Sequence, residues 1–103
     1  MMIDKIRYGQ NDYILDQIKI GNYLIFRVYE RDVNHKVKRG SEPKRVVKTE
    51  GVKILLEKKL YAGKKLSKIE EFIDEMKDCL TFIVFGKVKE EQELTQIEKE
   101  GIL

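Results

Sequence analysis

Residues 13–30 read Tyr13-Ile14-Leu15-Asp16-Gln17-Ile18-Lys19-Ile20-Gly21-Asn22-Tyr23-Leu24-Ile25-Phe26-Arg27-Val28-Tyr29-Glu30. Two runs rich in Ile, Leu, Val, Tyr and Phe, side chains that suit a pleated surface, flank Gly21-Asn22. Glycine first in a two-residue loop specifies a type II′ turn, whose twist matches that of paired strands. The turn sets a register. Ile20 stands opposite Tyr23, Ile18 opposite Ile25, Asp16 opposite Arg27 and Ile14 opposite Tyr29. On the other face Lys19, Gln17, Leu15 and Tyr13 stand opposite Leu24, Phe26, Val28 and Glu30. Opposite charges directly across a strand pair favour this arrangement, as Asp16 and Arg27 provide. Both faces carry large apolar side chains. The sheet is therefore expected to be covered twice, or to keep one apolar face for a partner, including a second copy of the chain as a homo-oligomer.

Outward from the hairpin, Ile3 to Tyr8 reads as a short strand and Gly9-Gln10-Asn11-Asp12 as a turn. Arg31 to Lys48 has no clean period and is punctuated by Asp32, Asn34, Gly40, Ser41 and Pro43. It reads as a long basic loop with a short strand around Val46-Val47, and loops of that length usually carry function. From Thr49 the period changes. Val52, Leu55, Leu56 and Leu60 fall at i, i+3, i+4 and i+8, which predicts a helix over 50–62 capped by Thr49 and closed by Gly63. Gly51 weakens its start, and a strand through 52–56 is the alternative. Ser67-Lys68-Ile69-Glu70 forms a capping box ahead of a helix over 68–79. Its apolar stripe is Ile69, Phe72, Ile73, Met76 and Leu80. Thr81 to Val88 reads as a central strand, and 90–100 as a short acidic helix using Leu94 and Ile97, ended by Gly101 with Ile102 packed back. The expected architecture is a single α+β domain over 1–103. An N-terminal antiparallel meander plus the later 81–88 strand would pack with two to three short helices.

The 103 residues are 42% hydrophobic and 38% charged, a length that suits one core. No apolar run approaches the ~18–20 residues of a membrane span, so no membrane partner is expected. Met1-Met2-Ile3-Asp4 lacks a basic-then-apolar export pattern, which points to a cytoplasmic protein. One cysteine and one histidine exclude an internal disulfide and argue against a Cys/His zinc site, so no cofactor is expected. The net charge of +3 hides an asymmetry. Residues 31–68 carry thirteen basic and four acidic groups, whereas residues 69–103 carry four basic and ten acidic ones.

The basic set is Lys36, Lys38, Arg39, Lys44, Arg45, Lys48, Lys58, Lys59, Lys64, Lys65 and Lys68. Of these, Lys36, Lys38, Arg39, Lys44, Arg45, Lys48, Lys64 and Lys65 are the candidates for contacting a partner or a phosphate. Glu71, Asp74, Glu75 and Asp78 form a candidate acidic partner surface. A solvated helix face, with acidic and basic regions side by side, explains the same charges without a partner. His35 is the one candidate general acid or base, though it has no second histidine to work with. Cys79, placed at the end of the 68–79 helix, would face the negative end of its dipole, which disfavours a nucleophilic thiolate. Gly63-Lys64-Lys65-Leu66-Ser67 lacks the first glycine and the Ser/Thr of a phosphate loop, and no stretch has calcium-loop spacing.

These observations point to a small non-catalytic binding or regulatory protein, an inhibitor of nucleic-acid-handling machinery acting by charged-surface occlusion. Its partner would be another protein or a ribonucleoprotein. The alternatives are a direct RNA- or DNA-binding module using residues 36–68, and a small metal-independent nuclease using His35.

Overall fold

In the computed structural model, residues 1–33 and 52–99 are described, with side chains through residue 93. The strands are β1 (Met2–Tyr8), β2 (Asn11–Ile20), β3 (Tyr23–Asp32) and β4 (Val52–Tyr61), and a single helix, α1 (Leu66–Lys99), follows them. The four strands form one antiparallel sheet in the order β1-β2-β3-β4.

The β2–β3 hairpin pairs in the register set by its turn. Ile20 faces Tyr23, Asp16 faces Arg27 and Tyr13 faces Glu30. Gly21 has φ +60° while no described non-glycine residue has a positive φ, the signature of a type II′ turn. The β1–β2 connection repeats the device in a shorter form than the 9–12 turn expected. Tyr8 already pairs with Asn11, so Gly9-Gln10 alone makes the loop, with Gly9 at φ +65°. Arg31 and Asp32 extend β3 rather than opening the basic loop. The expected strand at Val46-Val47 and the rest of the loop lie outside the described residues, as do Gly101 and Ile102.

The expected two to three short helices are replaced by one helix of 34 residues, and the 50–62 helix is a strand. A β-bulge explains the second error. Val28 pairs with Leu56 and Tyr29 with Ile54, so Leu55 is an extra residue on β4. The bulge lets the adjacent Leu55 and Leu56 both pack against the core, and Leu60 rejoins that face farther along. Leu55 and Leu56 side by side with Leu60 four residues on imitate a helical turn, and Val52, 42% exposed on the opposite face in the row of Arg31, completes the apparent stripe. The strand alternative through 52–56 is correct and extends to Tyr61. There the backbone N–H of Ala62 donates to the carbonyl of Asn22 at the hairpin turn, 2.8 Å away.

The segment 81–88 is helix, not a central strand, and 90–99 continues it without a break. The stripe begun by Ile69, Phe72, Ile73, Met76 and Leu80 runs on through Ile83 and Val84 at the same three- and four-residue steps. Met76, Leu80 and Val84 are buried against Tyr13, Leu15, Leu24, Phe26 and Val28. Burial of that stripe overrides the strand propensity of Thr81-Phe82-Ile83-Val84-Phe85. Phe82 and Phe85 fall off the stripe and are 72% and 59% exposed. The helix start differs from the expected Ser67 cap as well. The N–H groups of Lys68 and Ile69 both donate to the carbonyl of Lys65, so the helix begins ahead of Ser67, which lies in its first turn.

Two contacts orient the helix across the sheet. The Phe72 ring packs on Phe26 of β3 with centroids 5.0 Å apart, and the Tyr8 hydroxyl of β1 donates to Glu91. The helix therefore passes from β3 to β1 over one face, and the protein is only 16 Å thick along its shortest axis.

Leu80→Ala should cost ~2–5 kcal/mol through the cavity it opens, whereas Phe82→Ala should stay within about 0.5 kcal/mol. Urea unfolding distinguishes them, since a buried central strand would make both substitutions costly. Gly21→Val should cost about 1 kcal/mol or more, because a β-branched residue resists positive φ although space around the site is open.

Candidate binding surfaces

With α1 on one face, the opposite face of the sheet carries the other half of each strand's alternation. Its rows include Arg7, Asp12 and Arg31 at one end, and Ile20, Tyr23 and Tyr61 at the other. The two ends are chemically distinct.

At the first end Asp12 is only 2% exposed. The Arg7 Nε donates to its carboxylate at 2.9 Å, an Arg31 amino group stands 3.4 Å away, and the Lys5 ammonium 4.0 Å away. The Arg7 hydrogen bond is the main reason that the Asp12 carboxyl titrates below its ordinary range, against the opposing effect of desolvation. The same bond holds the Arg7 guanidinium above its ordinary value. Ile14, flanked across the ladder by Lys5 and Tyr29, is also 2% exposed although no helix covers it. Long cationic side chains can keep their charged heads in water while their aliphatic stems shield such a residue. Asp16 and Arg27 continue the network with two hydrogen bonds of 3.2 and 3.0 Å. This end is electrostatically satisfied, and its acids and bases serve the fold.

The second end is open. Ile18, Ile20, Tyr23, Ile25, Arg27, Glu57 and Lys59 line a shallow groove of about 310 Å³. The Tyr23 and Tyr61 rings meet edge-on with centroids 6.1 Å apart, and the Lys59 ammonium sits 5.3 Å from the Tyr23 centroid. Ile20, Tyr23 and Tyr61 are all exposed here. A large apolar face beside a few aligned charges is a surface for recognition rather than for bond-breaking.

The charged residues singled out from sequence are dispersed by the fold. Lys36, Lys38, Arg39, Lys44, Arg45, Lys48 and His35 lie outside the described residues. Lys64 and Lys65 stand in the β4–α1 connection, where the Tyr61 ring packs over Gly63. Lys64 and Lys68 share a second groove, of about 330 Å³, with Glu71 and Glu75. The Lys68 ammonium is 3.6 Å from the Glu71 carboxylate. Basic and acidic sets thus interleave at this corner, which reduces the field either would present alone. Asp74 and Asp78 are exposed on α1. Cys79 is half-buried in the middle of α1 and far from its C-terminus, so the expected end-of-helix dipole effect does not apply.

Sequence reasoning left open a sheet covered on both faces or one with a bare apolar face, and gave no sign of the division into a satisfied end and an open one. The alternation of 13–30 already placed Ile18, Ile20, Tyr23 and Ile25 together. Glu57, Lys59 and Tyr61 were not joined to that patch, because 50–62 read as a helix.

Asp12 sets a pH dependence. Its folded-state pKa lies below the unfolded one, so its contribution is complete above the ordinary carboxylate range and is lost as pH falls through the folded value. Asp12→Asn should therefore flatten the fall in Tm below about pH 4. Thermal melts from neutral pH downward measure this, and an unchanged acid limb in the variant would show that the network contributes nothing.

No family model, curated protein or solved structure matches the chain, so its function is argued from this geometry.

Proposed function

We propose that the chain is a non-catalytic binding protein that regulates a protein partner by covering part of its surface with the open end of the sheet. The observation that carries this reading is the exposed apolar face around Ile20, Tyr23 and Tyr61, with Arg27, Glu57 and Lys59 set within it. Four strands at ~4.8 Å spacing and ten residues at ~3.3 Å rise give the whole face roughly 19 by 33 Å, of which the open end is about half. Docked on a partner, the open end would remove roughly 600 Å² in total, the size of a weak, transient contact rather than of a stable interface. The groove suits an aliphatic or aromatic side chain of the partner, and the Arg27–Glu57–Lys59 row suits a rim of mixed charge.

In its finer form the reading makes the partner a nucleic-acid-handling protein or ribonucleoprotein, inhibited by charged-surface occlusion. The uneven charge supports it, with a basic middle and the carboxylates Glu71, Asp74, Glu75 and Asp78 exposed on α1. Direct nucleic-acid binding is disfavoured at the Lys64–Lys68 corner, because Glu71 and Glu75 would oppose a phosphate there.

The test is affinity capture from the native host with the wild type and the double variant Ile20→Glu/Tyr23→Glu, with and without nuclease. Capture of one protein that survives nuclease and is lost in the variant supports the reading, provided that the variant's Tm stays within about 8 °C. Capture lost on nuclease treatment, or retained by the variant, rejects it.

A further inference from the structure

The outward side of α1 carries a second unused surface. Glu75, Asp78, Phe82, Phe85, Lys89 and Gln92 follow one another at alternating steps of three and four residues. That spacing forms a straight seam along a helix. All six are exposed, and they lie opposite the Met76-Leu80-Val84 stripe that holds the sheet. Phe82 and Phe85 sit at the centre of the seam. The Lys89 ammonium lies 5.8 Å from the Phe85 ring centroid. Gly86, one turn after Phe82, has open space where a Cβ would stand, so a second backbone can approach closely.

We propose that this seam is a homodimer interface, in which α1 packs antiparallel on α1 of a second copy. A two-fold axis midway between Phe82 and Phe85 sets Phe82 of one copy against Phe85 of the other. The same axis places Asp78 opposite Lys89, and Glu75 opposite Gln92, twice per dimer. A parallel pairing would instead juxtapose Asp78 with Asp78 and Lys89 with Lys89, so charge complementarity selects both the orientation and the register. The two sheets would lie outermost, leaving their open faces free, and the inference is independent of the proposed function.

Phenylalanines of about 200 Å² each, exposed to the extents above, bury roughly 260 Å² per copy. With the rest of a seam about 26 Å long, the total remains below the ~1,200 Å² of a standard interface. The dimer is therefore a weak, concentration-dependent one.

Sedimentation equilibrium on the full chain from ~5 to ~500 µM spans the range in which such a small interface associates. The mass should rise from 12.2 kDa toward twice that value. Phe82→Asp/Phe85→Asp should remain monomeric with its helical circular dichroism intact. Asp78→Lys and Lys89→Glu should each weaken the dimer, and the combination Asp78→Lys/Lys89→Glu should restore it by exchanging the partners' charges. Ile20→Glu/Tyr23→Glu should dimerise as the wild type does. A wild-type chain that stays at 12.2 kDa throughout overturns the proposal. A dimer that survives loss of both phenylalanines, or a charge exchange that fails to restore association, overturns it too.

Discussion

One apolar stripe, Met76-Leu80-Val84 with Phe72, Ile73 and Ile83 beside it, closes the core of the described structure. A four-stranded antiparallel sheet has two faces, and a single helix can cover only one of them. Everything on the helix side follows ordinary burial. Tyr13, Leu15, Leu24, Phe26 and Val28 lose nearly all contact with water, and the aromatic pair Phe26–Phe72 anchors the crossing. Because the stripe continues for so many turns, the helix persists through a segment whose composition favours strands.

The other face must survive in water by different means. Asp12, Arg7, Arg31 and Lys5 tie its first end together, and the pairing of Asp16 with Arg27 extends the ties toward the middle. Exposed ion pairs on their own contribute little, but a nearly buried carboxylate with several cationic neighbours has a geometry worth preserving. The Gly21 end lacks such a network and keeps Ile20, Tyr23 and Tyr61 exposed. The contrast assigns structural work to one end and binding work to the other.

Much of the fold was legible in the residues themselves. The II′ turn at Gly21-Asn22, the pairing of Tyr13–Ile20 with Tyr23–Glu30, and the α1 stripe from Ile69 to Leu80 all follow from local chemistry. The errors have two causes, an interrupted period in β4 and a composition that hides an intact period in α1. At Leu55 a bulge shifts the alternation by one residue, and at Thr81–Phe85 β-branched and aromatic residues mask a helical stripe. The open groove was half legible, since Ile18, Ile20, Tyr23 and Ile25 come from the hairpin and Glu57, Lys59 and Tyr61 from the misread strand.

What the sequence determined by itself was local: turn geometry from glycine, strand register from that turn, and helix amphipathicity from spacing. Tertiary structure alone decided that 52–61 pairs with the free edge of β3, because that pairing satisfies the backbone groups of the edge while packing Leu55, Leu56 and Leu60 against the core. It also decided that 66–99 is one helix, because burying one continuous stripe on the sheet outweighs the weak preferences of individual residues. The placement of the binding surfaces is of the same kind. Which face of a sheet stays bare depends on where the covering helix lands, and that position is set by packing between segments far apart in the chain.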